Sequence, residues 1–142
     1  MEHYKKLENM YLDANCNKIY GPRIKINEGM CEISIDVKEE FFHAAGAGHG
    51  SVYFKLLDDC AFFAANSLEK DNFVLTTSFT TYITKPVVDG KMIGIGKVVS
   101  RTKKTFISES IILDVKGNEV ARGSGIFAIS ASDLNTIKSY KL

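Results

Sequence analysis

The sequence lacks the long apolar runs of a membrane protein and the excess of basic residues of a nucleic-acid-binding protein. No apolar run approaches the roughly 20 residues that span a bilayer, so no membrane span is predicted. The 18 lysines and arginines nearly balance the 17 aspartates and glutamates, which leaves a net charge of +1. A dedicated nucleic-acid surface is usually distinctly basic, so this balance argues against a nucleic-acid partner. A length of 142 residues fits one domain with a real core.

Residues for metal sites and disulfide bonds are also few. The three cysteines, Cys16, Cys31 and Cys60, are odd in number and unrelated in spacing, so they fit neither a zinc site nor a disulfide framework. The three histidines lack the spacing of a helical zinc motif, and no G-x-S-x-G motif supports a Ser-His-Asp triad. We therefore expect no metal and no cofactor. Reduced cysteines and a charged start at residues 1–8 favour a cytoplasmic protein.

The first part of the chain predicts a helix and a β-hairpin. Apolar residues at helical spacing predict a short amphipathic helix over residues 3–14, within an N-terminal extension of residues 1–20. Alternating apolar and polar residues then predict strands over residues 23–27 and 31–37, joined by a turn at Asn27-Glu28-Gly29.

The residues from 49 to 66 predict the element around which the rest of the chain is organised. After Gly50 this stretch has no glycine and no proline, and its apolar residues recur at helical spacing, which predicts a helix over about residues 51–67. The helix is apolar almost all round, which is typical of a core helix. A loop of alanines and glycines, residues 44–48, leads to its first turn, where backbone N–H groups lack partners.

Two neighbouring aspartates on this helix differ in their expected surroundings. Lys55 and Asp59 are spaced i, i+4 on the polar side, together with Asn66, so Asp59 has an ordinary explanation as half of a helix ion pair. Asp58 lies on the shoulder of the apolar face. Burying a charge without a partner costs on the order of several kcal/mol, so Asp58 is the side chain for which we expect a function.

The second half of the chain predicts strands joined by short turns. Thr, Val, Ile, Phe and Tyr dominate it, and Gly94 and Gly96 lie inside one strand, where another element should pack closely on the backbone. The predicted strands cover residues 73–84, 92–100, 106–115 and 120–129, and we expect the polar tail, residues 131–142, to fray.

These elements predict a single α+β domain. The central helix is the one element apolar and long enough to cover an antiparallel sheet, so we expect a curved sheet wrapped around it. Six or so strands are too few to close a barrel around a helix. An open sheet edge should therefore remain, and such an edge is commonly buried against a second copy of the chain.

Three motifs occur together in this sequence: His49-Gly50 with Asp58 nine residues after the histidine, the stretch from Thr76 to Lys85-Pro86 followed by Gly90, and Val120-Ala121-Arg122-Gly123 before the last strand. They resemble the motifs of the hotdog-fold acyl-CoA thioesterases, in particular the PaaI-like group. The resemblance covers roughly residues 20–130. The fold that it implies is a curved antiparallel β-sheet around one long central α-helix.

The resemblance also implies roles for individual residues. Gly50 matches the glycine whose backbone N–H polarises the thioester carbonyl, and His49 matches the histidine that shapes that site. Asp58 matches the acid that acts as general base on water or as nucleophile, and Thr76 matches a hydroxyl that helps to hold the water. In the family, the glycine and the acid come from opposite subunits of a dimer, so the site should exist only in the assembled protein.

The sequence departs from the family pattern at two positions. Ser51 stands where a second glycine is usual; serine suits a helix start, and we expect Ser51 to contact the substrate in a slightly tighter pocket. His43 stands where many relatives carry an asparagine that orients the water. Histidine can also donate and accept a hydrogen bond, but it titrates near neutral pH, which puts the positioning of the water and the pH optimum in question.

The implied activity is hydrolysis of an acyl or aryl-acyl coenzyme A thioester to the free acid and CoA, in a homodimer or a dimer of dimers. Basic side chains that could meet the CoA phosphates, or simply be solvated, are Lys85, Arg101, Lys103 and Lys104. Aromatic residues that could line an acyl tunnel, or simply pack in the core, are Phe41, Phe42, Phe62 and Phe63. A hotdog enoyl-CoA hydratase or dehydratase and a non-catalytic acyl-CoA-binding protein remain as alternatives.

Overall fold

A single antiparallel sheet and one long helix form the body of the molecule. The structure is a computed structural model that describes all residues from Met1 to Leu142. The helices are α1 (Glu2–Asp13), α2 (Asn15–Lys18) and α3 (Gly50–Leu68). The strands are β1 (Arg23–Asn27), β2 (Met30–Asp36), β3 (Asn72–Ile83), β4 (Lys91–Arg101), β5 (Thr105–Leu113) and β6 (Glu119–Asp133).

The sheet has six strands in the spatial order β1-β2-β4-β5-β6-β3, and every neighbouring pair is antiparallel. Helix α3 contacts all six strands, which confirms the predicted wrapping of a sheet around the central helix. The elements lie close to their predicted ranges because the helical and alternating hydrophobic patterns are local properties of the sequence. None of the helices combines the length and the hydrophobicity needed to cross a membrane.

Helix α3 lies unusually close to strand β4. A Cβ atom on Gly94 would lie 2.7 Å from Cys60 Sγ, and one on Gly96 would lie 2.3 Å from the Cys60 carbonyl carbon. Cys60 and Ala61 on the facing side of α3 are small and fully buried. The predicted close approach at Gly94 and Gly96 is therefore confirmed, and the element that packs there is the central helix.

The N-terminal helix and the C-terminal residues are part of the same core. Leu7 of α1 is fully buried, and so is Leu134, which follows β6. His3 Nε2 donates a hydrogen bond of 2.8 Å to the Asn66 carbonyl oxygen, and His3 Nδ1 lies 2.6 Å from Tyr140 Oη. The expectation that the tail frays is wrong, because β6 continues to Asp133 and the residues beyond it pack against the start of the chain.

The helical spacing places Asn66 on the same side of α3 as Lys55 and Asp59, but Asn66 does not face solvent. Its side chain is fully buried near the end of α3. Its Oδ1 accepts a hydrogen bond from the Val74 backbone N–H at 3.0 Å, while its Nδ2 donates to the carbonyl oxygens of Glu69 and Asn72. A side-chain amide with this set of partners satisfies the backbone where the chain leaves the helix for β3.

Strand β3 leaves one long edge of the sheet unpaired. It pairs with β6 on one side and has no strand on the other. Large apolar side chains on this strand are exposed, among them Leu75, Tyr82 and Ile83. The predicted open edge is confirmed, and an edge of this kind is suited to pair with another chain.

Replacing Gly96 with alanine should destabilise the fold strongly. The added methyl group would collide with the backbone of α3 at Cys60, which cannot move without lifting the helix from the sheet. We expect the free energy of unfolding to fall by about 3 kcal/mol or more, measured by urea denaturation. Gly48→Ala is the control, since its Cβ would lie 3.4 Å from the flexible end of Met92. Equal stability of the two variants would contradict the close packing.

Candidate active site

Asp58 and Thr76 meet on the flank of α3. Asp58 projects from the helix toward β3, and Thr76 Oγ1 donates a hydrogen bond of 2.9 Å to Asp58 Oδ1. The second carboxylate oxygen, Oδ2, accepts no hydrogen bond within the chain and is not among the sealed, unpartnered polar atoms. The structure therefore brings these two predicted site residues together and leaves one oxygen of Asp58 free to act on another molecule.

The surroundings of Asp58 make it an unusually basic carboxylate. Partial burial of the carboxylate is the largest influence and raises its pKa to about 6; the nearby Asp59 charge acts in the same direction, whereas the Thr76 hydrogen bond and Lys55 lower the pKa. Desolvation disfavours the charged form of an acid, which explains the direction. Asp58 is thus mostly ionised at neutral pH, but it holds a proton more strongly than an exposed aspartate does.

A largely apolar cavity of about 450 Å³ adjoins Asp58 and Thr76. Its volume lies within the range of small-molecule sites. The predicted aromatic residues Phe62 and Phe63 line it, whereas Phe41 stacks on Tyr20 with ring centroids 5.0 Å apart and belongs to the core. The remaining side chains of the wall include Met10, Tyr11, Asn17, Lys55, Asp59, Phe73, Leu75 and Ile137.

The sequence did not indicate that the N-terminal helices contribute to this wall. Tyr11 Oη donates a hydrogen bond of 2.8 Å to Asp59 Oδ2, and Lys55 Nζ lies 2.8 Å from the same oxygen. The helix ion pair predicted for Asp59 is confirmed. Tyr11 occurs in the sequence as one apolar position of an amphipathic helix, and no local pattern relates residue 11 to residue 59.

His49 caps the N-terminus of α3. Its Nδ1 accepts a hydrogen bond of 3.0 Å from the Ser51 backbone N–H and lies 2.8 Å from Ser51 Oγ. A ring nitrogen that accepts from an N–H carries no proton of its own. Gly50 is the first residue of the helix, and its backbone N–H makes no hydrogen bond within the chain. The N-terminus of α3 therefore offers a free donor at its positive end.

A second cavity, of about 320 Å³, adjoins Gly50. Its wall includes His43, Tyr53, Ile83 and Lys85. The His43 side chain is exposed, and its Nδ1 accepts a hydrogen bond of 3.1 Å from the Ala45 backbone N–H. Within one chain, His43 thus lies beside Gly50, and it makes no contact with Asp58.

Gly50 and Asp58 of the same chain face different cavities. Eight positions separate them along α3, which corresponds to about 12 Å at the rise of an α-helix. The walls of the two cavities share no residue. One carbonyl group cannot contact both residues of a single chain.

The predicted basic residues fall into two groups. Lys85 lies next to Gly50, whereas Arg101, Lys103 and Lys104 lie at the exposed turn between β4 and β5. Thr105, the first residue of β5 after this turn, pairs with Ala128 of β6, and Ala128 also pairs with Leu75 near the start of β3. Lys85 follows the other end of β3, about 25 Å away at the rise of a strand. A single chain does not bring the four side chains together.

The chain holds no group of three histidine, cysteine, aspartate or glutamate side chains that could bind a metal ion. The polar groups near Asp58 are a second carboxylate, an ammonium group and hydroxyl groups. The arrangement can accept a proton or attack an electrophile at Asp58, and it can donate a hydrogen bond at Gly50.

Several solved structures superpose on this chain over most of its length. The E. coli PaaI protein from the phenylacetic acid degradation operon superposes with a TM-score of 0.85 at 19% identity, over 93% of this chain and 96% of that one. A thioesterase family protein from Silicibacter pomeroyi has a TM-score of 0.81 at 20% identity, over 90% and 99% of the two chains. A thioesterase from Haemophilus influenzae has a TM-score of 0.78 at 16% identity, over 86% and 87%.

These superpositions define the class of fold. The chain has the hotdog fold, a curved antiparallel sheet around a long central helix. The resemblance to PaaI-like hotdog proteins that the sequence motifs indicated is thereby confirmed at the level of the fold. No family model matches the chain, and no curated protein matches it in sequence.

Removing the Thr76 hydroxyl should raise the pKa of Asp58 above about 6. The hydrogen bond that Thr76 donates stabilises the ionised carboxylate. We expect Thr76→Val to shift the titration of the Asp58 carboxyl carbon, followed by NMR, to higher pH. Thr77→Val is the control, because Thr77 Oγ1 donates to the Ile126 carbonyl oxygen instead. A titration that moves equally in both variants, or in neither, would count against the Thr76 contact.

Proposed function

We propose that this protein is an acyl-CoA thioesterase that hydrolyses an acyl or aryl-acyl thioester to the free acid and CoA without a cofactor. The observation that carries the proposal is the Asp58 carboxylate, bonded to Thr76 on one oxygen, free on the other, and facing an apolar cavity. A carboxylate whose pKa is raised toward neutrality suits general-base work. The hotdog fold shared with named thioesterases supports the same reading.

The reaction needs an oxyanion donor and a base on the two sides of the thioester. In our proposal the carbonyl oxygen accepts a hydrogen bond from Gly50 N–H at the positive end of α3, where the developing negative charge is stabilised. Asp58 of the partner subunit takes a proton from water as the water oxygen bonds to the carbonyl carbon, or attacks that carbon itself. The C–S bond then breaks, and the CoA thiolate leaves with the electron pair. Where Asp58 itself has attacked, water then hydrolyses the acyl-Asp58 anhydride, which releases the free acid and restores the carboxylate.

The geometry of strand β3 supports a dimer that completes this site. Ile83, at one end of β3, lies beside Gly50, and Thr76, toward the other end, holds Asp58. Two copies that pair antiparallel through their free β3 edges run in opposite directions, so the Ile83 end of one strand approaches the Thr76 half of its twin. Such pairing would bring Gly50 of one subunit toward Asp58 of the other. A further pairing into a dimer of dimers remains a prediction.

The same pairing would gather the basic residues. The turn with Arg101, Lys103 and Lys104 lies at the same end of the sheet as the start of β3, with β6 between them, and Lys85 follows the other end of β3. Across an antiparallel dimer the turn of one subunit approaches Lys85 of the other. A composite basic patch at the mouth of the Gly50 cavity suits the polyanionic end of CoA. The free thiols of the buried Cys31 and Cys60 are consistent with the reducing, cytoplasmic setting that we also propose.

Asp58→Asn should lower kcat for acyl-CoA hydrolysis by about 100-fold or more while the fold is retained, on the scale of losing a general base. In the unaltered protein, kcat should rise with pH through about 6, because only the ionised form of Asp58 can take a proton or attack. The assay follows thiol release across a panel of acyl-CoAs. Asp89→Asn, at an exposed loop position, is the control. An unchanged kcat in Asp58→Asn would remove this residue from the mechanism.

The assay also separates the alternative classes. Hydration of an enoyl-CoA without thiol release would indicate a hydratase. Thermal stabilisation by acyl-CoAs with no thiol release over hours would indicate a binding protein.

Gly50→Pro should lower kcat by about 100-fold or more, the scale of losing one oxyanion donor. Proline removes the N–H but suits the first position of a helix, and His49, with φ −64° and ψ 146°, already has the extended conformation that precedes proline. Gly50→Ala, which keeps the N–H, is the control. Its Cβ would meet only the end of the Ile83 side chain.

Mixing the two inactive variants tests whether the site is shared. After unfolding and refolding together, Gly50→Pro and Asp58→Asn chains should regain about a quarter of the original activity, because a heterodimer contains one intact site. No recovery from a mixture that forms heterodimers would contradict a site built from two subunits.

A further inference from the structure

A cluster of polar groups interrupts the apolar wall of the Asp58 cavity. We call it the polar corner, and it consists of Tyr11, Asn17, Lys55 and Asp59. Lys55 Nζ donates to Asn17 Oδ1 at 2.6 Å and to Asp59 Oδ2 at 2.8 Å, and Tyr11 Oη donates to the same Asp59 oxygen at 2.8 Å. The side chains of Lys55 and Asp59 are only 22% and 16% exposed. These contacts fix the ion pair in one geometry.

One oxygen of the polar corner has no partner. Asp59 Oδ2 accepts two hydrogen bonds, whereas Oδ1 accepts none within the chain. The side-chain polar atoms that are both sealed and unpartnered are Thr81 Oγ1 and Ser108 Oγ, so Asp59 Oδ1 contacts open space, and Asp59 lines the cavity. A carboxylate oxygen in a largely apolar cavity is a strong acceptor that selects a ligand with a hydrogen-bond donor.

The charges in the cavity restrict which kind of hydrogen-bond donor a ligand can place against Asp59 Oδ1. Lys55, 2.8 Å from Asp59, would repel an ammonium group bound to the other oxygen of that carboxylate. Asp58 and Asp59 together would repel a ligand that ends in a carboxylate. A neutral hydroxyl group satisfies Asp59 Oδ1 and meets neither repulsion.

We propose that Asp59 selects acyl groups that carry a hydroxyl group a few bonds from the thioester carbon. The proposal rests on the proposed function, in which the acyl group enters the cavity beside Asp58. Asp58 and Asp59 are successive residues of α3, separated by a rise of about 1.5 Å and a turn of about 100°. When the carbonyl carbon of a substrate is at Asp58, an atom of the acyl group only a few bonds away can therefore contact Asp59.

Three matched substrates test the selection. Thiol release is measured with hexanoyl-CoA and with two hydroxylated forms, 3-hydroxyhexanoyl-CoA and 6-hydroxyhexanoyl-CoA. The hydroxyl groups of these two lie near to and far from the thioester, so that they bracket the distance from Asp58 to Asp59. Adipoyl-CoA is the analogue that ends in a carboxylate. We expect kcat/KM for at least one hydroxylated substrate to exceed that for hexanoyl-CoA by about tenfold or more, the scale of one hydrogen bond to a charged group. Adipoyl-CoA should be the poorest of the four.

The double variant Lys55→Met/Asp59→Leu tests whether the polar corner causes the preference for hydroxylated substrates. Removing both charges avoids leaving one of them buried without a partner. We expect the ratio of kcat/KM between hydroxylated and plain substrates to fall to about one. The matched control Arg23→Met/Asp36→Leu removes an exposed ion pair and should keep the ratio. A preference that persists in the Lys55/Asp59 variant, or is absent from the unaltered protein, would overturn the proposal.

A binding measurement distinguishes failure of this proposal from failure of the proposed function. The Asp58→Asn protein is titrated with the same substrates in a calorimeter. Tighter binding of a hydroxylated substrate by about tenfold, lost in the triple variant that also carries Lys55→Met/Asp59→Leu, supports selection by Asp59 even if no thiol release is observed. Equal affinities for all substrates would overturn it, even if the thioesterase activity is found.

Discussion

The close packing of α3 on the glycines of β4 determines how the rest of the molecule can act. Because Gly94 and Gly96 admit the backbone of the helix at Cys60, the helix cannot rotate about its own axis without a collision. Its rotation decides where every other side chain points. Asp58 is directed to Thr76 on β3, and Asp59, one residue later, is directed to Tyr11 on α1. A pair of glycines with no chemistry of their own thus positions both carboxylates of the cavity.

The two adjacent carboxylates are equipped for different tasks by their partners. Burial raises the pKa of both. Asp59 is held by an ammonium group and a phenol at 2.8 Å, so its charge is compensated and its position is fixed. Asp58 has a single hydroxyl partner and forms no ion pair within the chain. A carboxylate with few partners retains more of its affinity for a proton, which is the property that a base requires, whereas a compensated carboxylate is better suited to recognition.

The fold could be predicted from the sequence because its signals are local. Helical spacing, strand alternation and interior glycines each report on a few neighbouring residues, and Asp58 was noticeable as a charge on an apolar flank. The burial of Asn66 could not be predicted, because an asparagine on the polar side of a helix can either face water or, as here, accept a hydrogen bond from the Val74 backbone N–H. The contact of Tyr11 with Asp59, the packing of the tail and the separation of Lys85 from Arg101 depend on contacts between distant parts of the chain. The spacing of hydrophobic residues along the chain does not indicate such contacts.

The distance between Gly50 and Asp58 makes the proposed reaction depend on the assembly of two chains. A helix is rigid over two turns, so no local adjustment brings its N-terminus to a side chain about 12 Å along its own axis. A single chain therefore offers a donor in one cavity and a base in another, each without its counterpart. If catalysis needs both the Gly50 donor and the Asp58 base, the free edge of β3 is needed for function, because a second chain paired along that edge would bring the two groups together. Activity would then depend on the same hydrogen bonds that hold the dimer together, and a chain that separated from its twin would be inactive while still correctly folded.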